Sequence, residues 1–340
     1  MQVLQTAKHM DALGICVDIK LTNENICYDD YSLLHFFNIT RPADILYHTD
    51  KTKKPFVVST IFIDYSQYDK YYRQGIAAKL FRFLSRDSIE WLKATARYIS
   101  GKDNLMSLSY IFKGQRKCIT EILKKARFLL PNSDAEYQSI VESYNCSTKY
   151  MVVPNGVNKE LFHGVNEIEK DPFMILCVAR IEGIKNQLNL IKALNGTPYK
   201  LFLIGKAAPN QSSYYKQCRQ AASSNVVFID HMPQEKLLEY YSKAKAHILP
   251  SWFESTGLSS LEAAAMGCNV IITDKGFAKE YFGRDVFYCD PASPESIFTA
   301  VEKASKQEIS KVLQNKIFTK YTWQHASLQT IKAYREVINK

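Results

Sequence analysis

The stretch WFESTGLSSLEAAAMGCNVI (residues 252–271) sets two carboxylates, Glu254 and Glu262, on either side of a helix start. A strand-like AHILPS (246–251) leads into it, and the Leu, Glu and Ala content of 257–266 predicts a helix. The first N–H groups of such a helix lack intrahelical partners and its dipole is positive there, so the amides of Thr256, Gly257 and Leu258 suit an anion. One carboxylate just ahead of the helix and another about one and a half turns inside it can flank a phosphate ester and accept bonds from neutral hydroxyls. The plainer reading of the same residues is an acidic side chain complementing the dipole plus a surface Glu.

VARIEGIKNQ (178–187) follows an apolar run, FMILCVA (173–179), that reads as a buried strand, so Arg180 stands at its carboxyl end. In an open α/β sheet ligands bind at that end. Lys185 opens the next helical stretch, where a cation opposes the dipole and needs another reason to be present. A diphosphate supplies one. Taken singly, Arg180 and Lys185 read as solvated charges. Set in one domain with Glu254 and Glu262, they read as a polyanion site.

VARIEGIKNQ, then LFLIGK (201–206), then ESTGLSSLE (254–262) together resemble glycosyltransferase family 4, retaining enzymes of the GT-B fold. LLPNSDAE (129–136) and VVPNGV (152–157) resemble that family's last N-domain strand and its interdomain crossing. The resemblance covers about residues 128–335 well and the first 127 loosely. It implies an α/β chain of two Rossmann-like domains facing a central cleft. Residues 1–155 would form the acceptor-side domain, 156–323 the nucleotide-sugar domain, and 324–340 a helix returning to the first domain, with Leu328, Ile331, Tyr334 and Ile338 as its apolar positions.

Length and composition agree. The 340 residues suffice for two domains, and 46% apolar content supports a core in each. Eight Cys are scattered without a C-x-x-C pair or a metal-like cluster with His, so free buried thiols in a cytoplasmic protein are expected. No apolar run approaches the ~18 residues of a membrane span, and no signal peptide is recognisable. In the second half, apolar strands near Phe173, Leu201, Val226, Ala246, Asn269 and Val286 alternate with helical stretches, the pattern of a parallel sheet covered on both faces.

The first half is less regular. DILYH (44–48), PFVVSTIFI (55–63) and RFLLP (127–131) read as strands. Residues 3–13, Gly14 and ICVDIKL (15–21) read as a helix and a second strand, so the family's first strand and glycine-rich loop are expected to be absent. Either the start lies downstream of the true one, which we favour, or the domain is rearranged. Residues 70–130 hold fourteen Lys and Arg against four acidic residues, which accounts for the whole net charge of +10. Ile76, Leu80, Phe83, Leu84, Trp91 and Ile99 interleave with them. That pattern suits an anionic membrane surface, or else a solvated helical face; no nucleic-acid-binding motif accompanies it.

The resemblance implies transfer of a sugar from a nucleotide diphosphate, UDP or GDP, with retention and without a metal or other cofactor. Arg180, Lys185 and Glu254 are the expected catalytic residues, with Asp64 as a further candidate that the resemblance itself does not supply. Glu254 would hold donor-sugar hydroxyls, Glu262 those of the ribose, and the amides of Thr256, Gly257 and Leu258 the diphosphate. Base contacts are expected from 204–206, with Gly205 and Lys206, and from 230–232, with His231 and Met232, although these stretches depart from the usual glycine pattern. Many relatives carry a His after the strand matching PFVVSTIFI. Here Asp64 stands nearby in a Tyr-rich loop, as an acceptor-side base or as a turn residue, and His48 reads as structural. Two functions stand: a glycosyltransferase acting on a lipid-linked or oligosaccharide acceptor in surface-polysaccharide assembly, peripheral on the inner face of a membrane, or a catalytically silent nucleotide-sugar-binding partner subunit.

Overall fold

Two α/β units divide the chain in the computed structural model, which describes residues 1–73, 76–162 and 169–339. One unit comprises Met1–Asn155 and Trp323–Lys340, the other Gly156–Thr322.

The second unit is built on six parallel strands: β4 (Asp171–Val178), β5 (Lys200–Ile204), β6 (Val226–Ile229), β7 (Ala244–Leu249), β8 (Asn269–Thr273) and β9 (Phe287–Cys289). They lie in the order β6-β5-β4-β7-β8-β9. Each expected strand of this half is present. The central ones are apolar on both faces, with Ile175, Leu176, Val270, Ile271 and Ile272 fully buried, because helices cover both sides of the sheet. Those helices are α7 (Lys159–Phe162), α8 (Gln187–Leu194), α9 (Ser212–Ala221), α10 (Gln234–Lys243), α11 (Leu258–Ala265), α12 (Ala278–Phe282), α13 (Pro294–Lys306) and α14 (Lys311–Lys320). Strand order reverses direction between β4 and β7, so their carboxyl ends flank the switch point of the sheet.

Among its described residues the first unit has three strands, β1 (Leu34–Phe37), β2 (Phe56–Ser59) and β3 (Phe128–Leu129), parallel, with β2 in the middle. Around them lie α1 (Gln2–Asp11), α2 (Pro42–Thr49), α3 (Ile76–Phe81), α4 (Arg86–Ile99), α5 (Ser109–Lys125), α6 (Asp134–Tyr144) and α15 (Trp323–Ile338). Two expectations are corrected. DILYH lies within α2, where Pro42 opens the helix and Asp44 sits in its first turn. The strand expected there is instead LHFF, four residues too short to stand out as a run. ICVDIKL is not a strand: it has no sheet partner, and Ile19 and Leu21 are exposed.

Helix α15 packs on α1. Ile331 is buried, and the Tyr334 hydroxyl meets Nδ1 of His35 at 2.7 Å, whereas Leu328 and Ile338 face outward. Behind β2, the fully buried Glu136 accepts hydrogen bonds from Thr60 Oγ1, from Phe62 N at 2.7 Å and from Asn132 N at 2.8 Å. It thereby ties the chain after β2 to the chain after β3.

The basic segment divides into two populations. Arg86 bonds Ser143 and the Tyr144 hydroxyl, Lys93 bonds Asp69 and Glu90, and Trp91 donates Nε1 to the Ile111 carbonyl at 3.2 Å, so these three brace α4 against its neighbours. Leu84 is half-buried, and the side chain of Ile76 lies outside the described residues. Leu80, Phe83 and Ile99 are exposed, as is Phe112, which the sequence did not single out; Phe83 and Phe112 are each 89% accessible. Among the described residues no helix is long and apolar enough to cross a membrane.

Candidate active site

Beyond β4 the chain makes a single turn of 3-10 helix, Gly183–Lys185, and beyond β7 it enters the loop that carries Glu254. The two loops are laced together. Trp252 N donates to the Ile184 carbonyl at 2.9 Å, and Asn186 Nδ2 donates to the carbonyls of Pro250 at 3.0 Å and Pro291 at 2.7 Å. Asn186 is buried with φ 59°, a left-handed conformation that Asn tolerates better than most side chains. This lacing brings Lys185 Nζ to 2.6 Å from Glu254 Oε1, and Ser251 Oγ donates to the same oxygen at 2.6 Å. The Glu254 side chain is 6% exposed and that of Lys185 23%. A carboxylate accepts about four hydrogen bonds, so these two leave capacity for a ligand's hydroxyls.

The backbone of Glu254 is gripped from the far side by the loop after β8. Its N–H donates to the Lys275 carbonyl at 3.1 Å, and its carbonyl accepts from Phe277 N at 2.8 Å. Gly276, at φ 98°, lies between these bonds, where a Cβ would fall 2.2 Å from the Glu254 carbonyl oxygen. The rings of Phe253 and Phe277 meet edge to face, 5.2 Å apart.

The remaining expected residues follow the same sheet edge. Arg180, just past β4, is mostly exposed and pairs with Glu182 at 3.0 Å. Gly205, just past β5, approaches the Ala179 carbonyl so closely that a Cβ would sit 2.1 Å away, and Ile181 N donates to the Lys206 carbonyl at 2.9 Å. The Lys206 and His231 side chains are exposed, and Met232, past β6, is half-buried. Thr256 is buried, Gly257 caps α11 and Leu258 is its first residue. Glu262, one turn further, is almost wholly buried. Its Oε1 accepts from Gln234 Nε2 at 2.5 Å and its Oε2 from the Tyr241 hydroxyl at 3.0 Å. Burial raises its pKa to about 7, against the opposing pull of those two donors.

The structure therefore brings Lys185 and Glu254 into contact and sets Arg180, Gly205, His231 and Glu262 along the carboxyl ends of β4 to β7 and the helix that follows. Asp64 stands in the first unit, where its Oδ1 accepts from Ser66 N at 2.8 Å in a turn. His48 is buried between the Tyr28 hydroxyl and the Thr22 carbonyl, a structural role. Sequence reading missed Ser251, Gly276 and Gln234. A lone Gly after the apolar NVIIT was the available signal for the second. Among the described residues no group of three His, Cys, Asp or Glu is placed to hold a metal ion.

Residues 158–321 match the family described as "Glycosyl transferases group 1". A protein described as an uncharacterized glycosyltransferase of Methanocaldococcus jannaschii is 26% identical over 212 residues, which is 55% of this chain and only 54% of that protein's length. From Campylobacter jejuni, an N-acetylgalactosamine-N,N'-diacetylbacillosaminyl-diphospho-undecaprenol 4-alpha-N-acetylgalactosaminyltransferase is 26% identical over 312 residues, covering 84% of this chain and 80% of its own. A sucrose-phosphate synthase structure from Thermosynechococcus elongatus superposes with a TM-score of 0.71 at 18% identity, over 91% of this chain and 74% of that one. The fold is GT-B.

Proposed function

We propose, for a chain whose second unit is a group 1 glycosyltransferase domain, retaining transfer of a sugar from a nucleotide diphosphate to a lipid-linked or oligosaccharide acceptor in surface-polysaccharide assembly. The observation that carries this reading is the Lys185–Glu254 pair at 2.6 Å, set at the carboxyl ends of β4 and β7 where the strand order switches. The Campylobacter relative's printed name, with its diphospho-undecaprenol, supports the lipid-linked acceptor.

When the glycosidic bond breaks, its electron pair passes to the diphosphate oxygen, and negative charge grows there. Lys185, Arg180 and the positive end of α11 meet that charge, taking the role a divalent ion fills in other transferases. Glu254, oriented by Lys185 and Ser251, accepts bonds from the sugar hydroxyls, and Glu262 from those of the ribose. Gly205, Lys206, His231 and Met232 border the base. Asp64 is the acceptor-side carboxylate, holding a hydroxyl or accepting its proton.

For the acceptor's setting we propose an anionic membrane surface. Phe83, Ile99 and Phe112 project outward from a segment that also exposes Lys79, Arg82, Lys102, Lys117 and Lys124. Each basic residue near such a surface contributes ~1 kcal/mol, enough in sum for reversible docking.

A donor screen tests the whole reading: UDP- and GDP-sugars are offered to the parent and to Glu254→Gln, with nucleotide release measured with and without chelator. Release that is lost in the variant and indifferent to chelator is expected. No release from any donor would return the chain to a silent binding subunit, and rescue by Mg²⁺ after chelation would overturn the metal-free scheme.

A further inference from the structure

We propose that Gln234 is a positioning residue that gives this site its preference for a ribose over a deoxyribose nucleotide, by fixing the plane of the Glu262 carboxylate. The inference rests on the reading of Glu262 as the ribose contact.

The last torsion of a Glu side chain is broad, so one hydrogen bond leaves the carboxylate free to turn about its axis. Glu262 has two, one on each oxygen: Tyr241 holds Oε2 from inside α10, and Gln234 holds Oε1 from that helix's first residue. Tyr241 is fully buried and Gln234 only partly, so of the two donors that fix the carboxylate Gln234 is the one nearer the surface. A vicinal diol presents two donors at fixed separation, and two acceptors in one fixed plane discriminate for it. An analogue lacking the hydroxyls leaves that buried carboxylate short of partners. Gln234 also follows His231 and Met232 in the loop after β6, so one short segment reaches both the base and, through Glu262, the sugar.

The test is calorimetric binding of UDP and GDP, each beside its 2′,3′-dideoxy counterpart, to the parent, Gln234→Leu and Gln234→Asn. The parent should prefer the ribose form of whichever nucleotide binds by about tenfold or more. In Gln234→Leu that preference should collapse to about twofold, through weaker binding of the ribose form alone, with Gln234→Asn between. A parent with no preference would refute the ribose contact itself. Preference retained in both variants, or both ligands weakened alike, would refute the role of Gln234. Because Gln234 is partly exposed at a helix start, both variants should fold, and thermal unfolding of each checks this.

Discussion

Gly276→Ala isolates the placement of Glu254 from its chemistry, since no catalytic group is removed. The added methyl would lie 2.2 Å from the Glu254 carbonyl oxygen and 2.9 Å from its C and N, where 3.0 Å is already closer than real Cβ contacts come. The obstacle is backbone, so the two loops must part by about 0.8 Å, and the φ of 98° adds strain of ~1 to 3 kcal/mol. The bonds Glu254 N to Lys275 O and Phe277 N to Glu254 O then stretch, and the carboxylate moves with its backbone. A displacement near 1 Å in a catalytic array costs about a hundredfold in rate. Donor turnover, read as nucleotide release, should fall by that factor while the far-ultraviolet spectrum is kept and the unfolding midpoint drops by a few degrees. Turnover within about threefold of the parent in a folded variant would refute the view that this loop positions Glu254.

Glu254→Gln and Lys185→Ala should each lower donor turnover by a hundredfold or more, ~3 to 4 kcal/mol, without unfolding the chain; near-normal turnover in either would remove it from the site. Replacing Phe83 and Phe112 by Ser, or Lys79, Lys117 and Lys124 by Gln, should reduce flotation with anionic vesicles at low salt and leave hydrolysis of a soluble donor unchanged; Arg86 and Lys93 are kept because they brace α4. Flotation absent in the parent would reduce the segment to an ordinary surface. The proton affinity of Glu262 is raised in the folded state to about 7 from 4.5, so its contribution is fully present below pH 4.5 and is lost as pH rises through 7. The loss is about 3 kcal/mol, and in urea unfolding near pH 5 and pH 8 the parent should weaken relative to Glu262→Gln by that order. A constant difference between the two proteins would contradict it.

The second unit was legible because its strands are buried on both faces and so print as unbroken apolar runs such as FMILCV and NVII, and because a parallel sheet concentrates chemistry at strand carboxyl ends. The first unit was not. In α2 the apolar residues of DILYH cluster as they would in a short strand, and only Pro42 marks the helix start, while β1 is four residues long. In ICVDIKL the alternation is real but no neighbouring strand pairs with it. Within the site, Glu254, Lys185 and Glu262 carry charge in suggestive places. Gly276 and Gln234 act across 22 and 28 residues of chain, a proximity that no local pattern encodes.

Helix α15 has a consequence for how the polypeptide matures. Its Ser327 hydroxyl reaches the carbonyl of Thr6, and its Tyr334 reaches His35, so the first unit closes on residues some three hundred positions away. During synthesis those partners leave the ribosome only after the whole second unit, whose described strands form a sheet of their own. The nascent first unit must wait with the α15-facing side of α1 uncovered, an opportunity for chaperones and for aggregation. A ribosome stalled before residue 323 would be expected to display a protease-resistant second unit joined to a protease-sensitive first one.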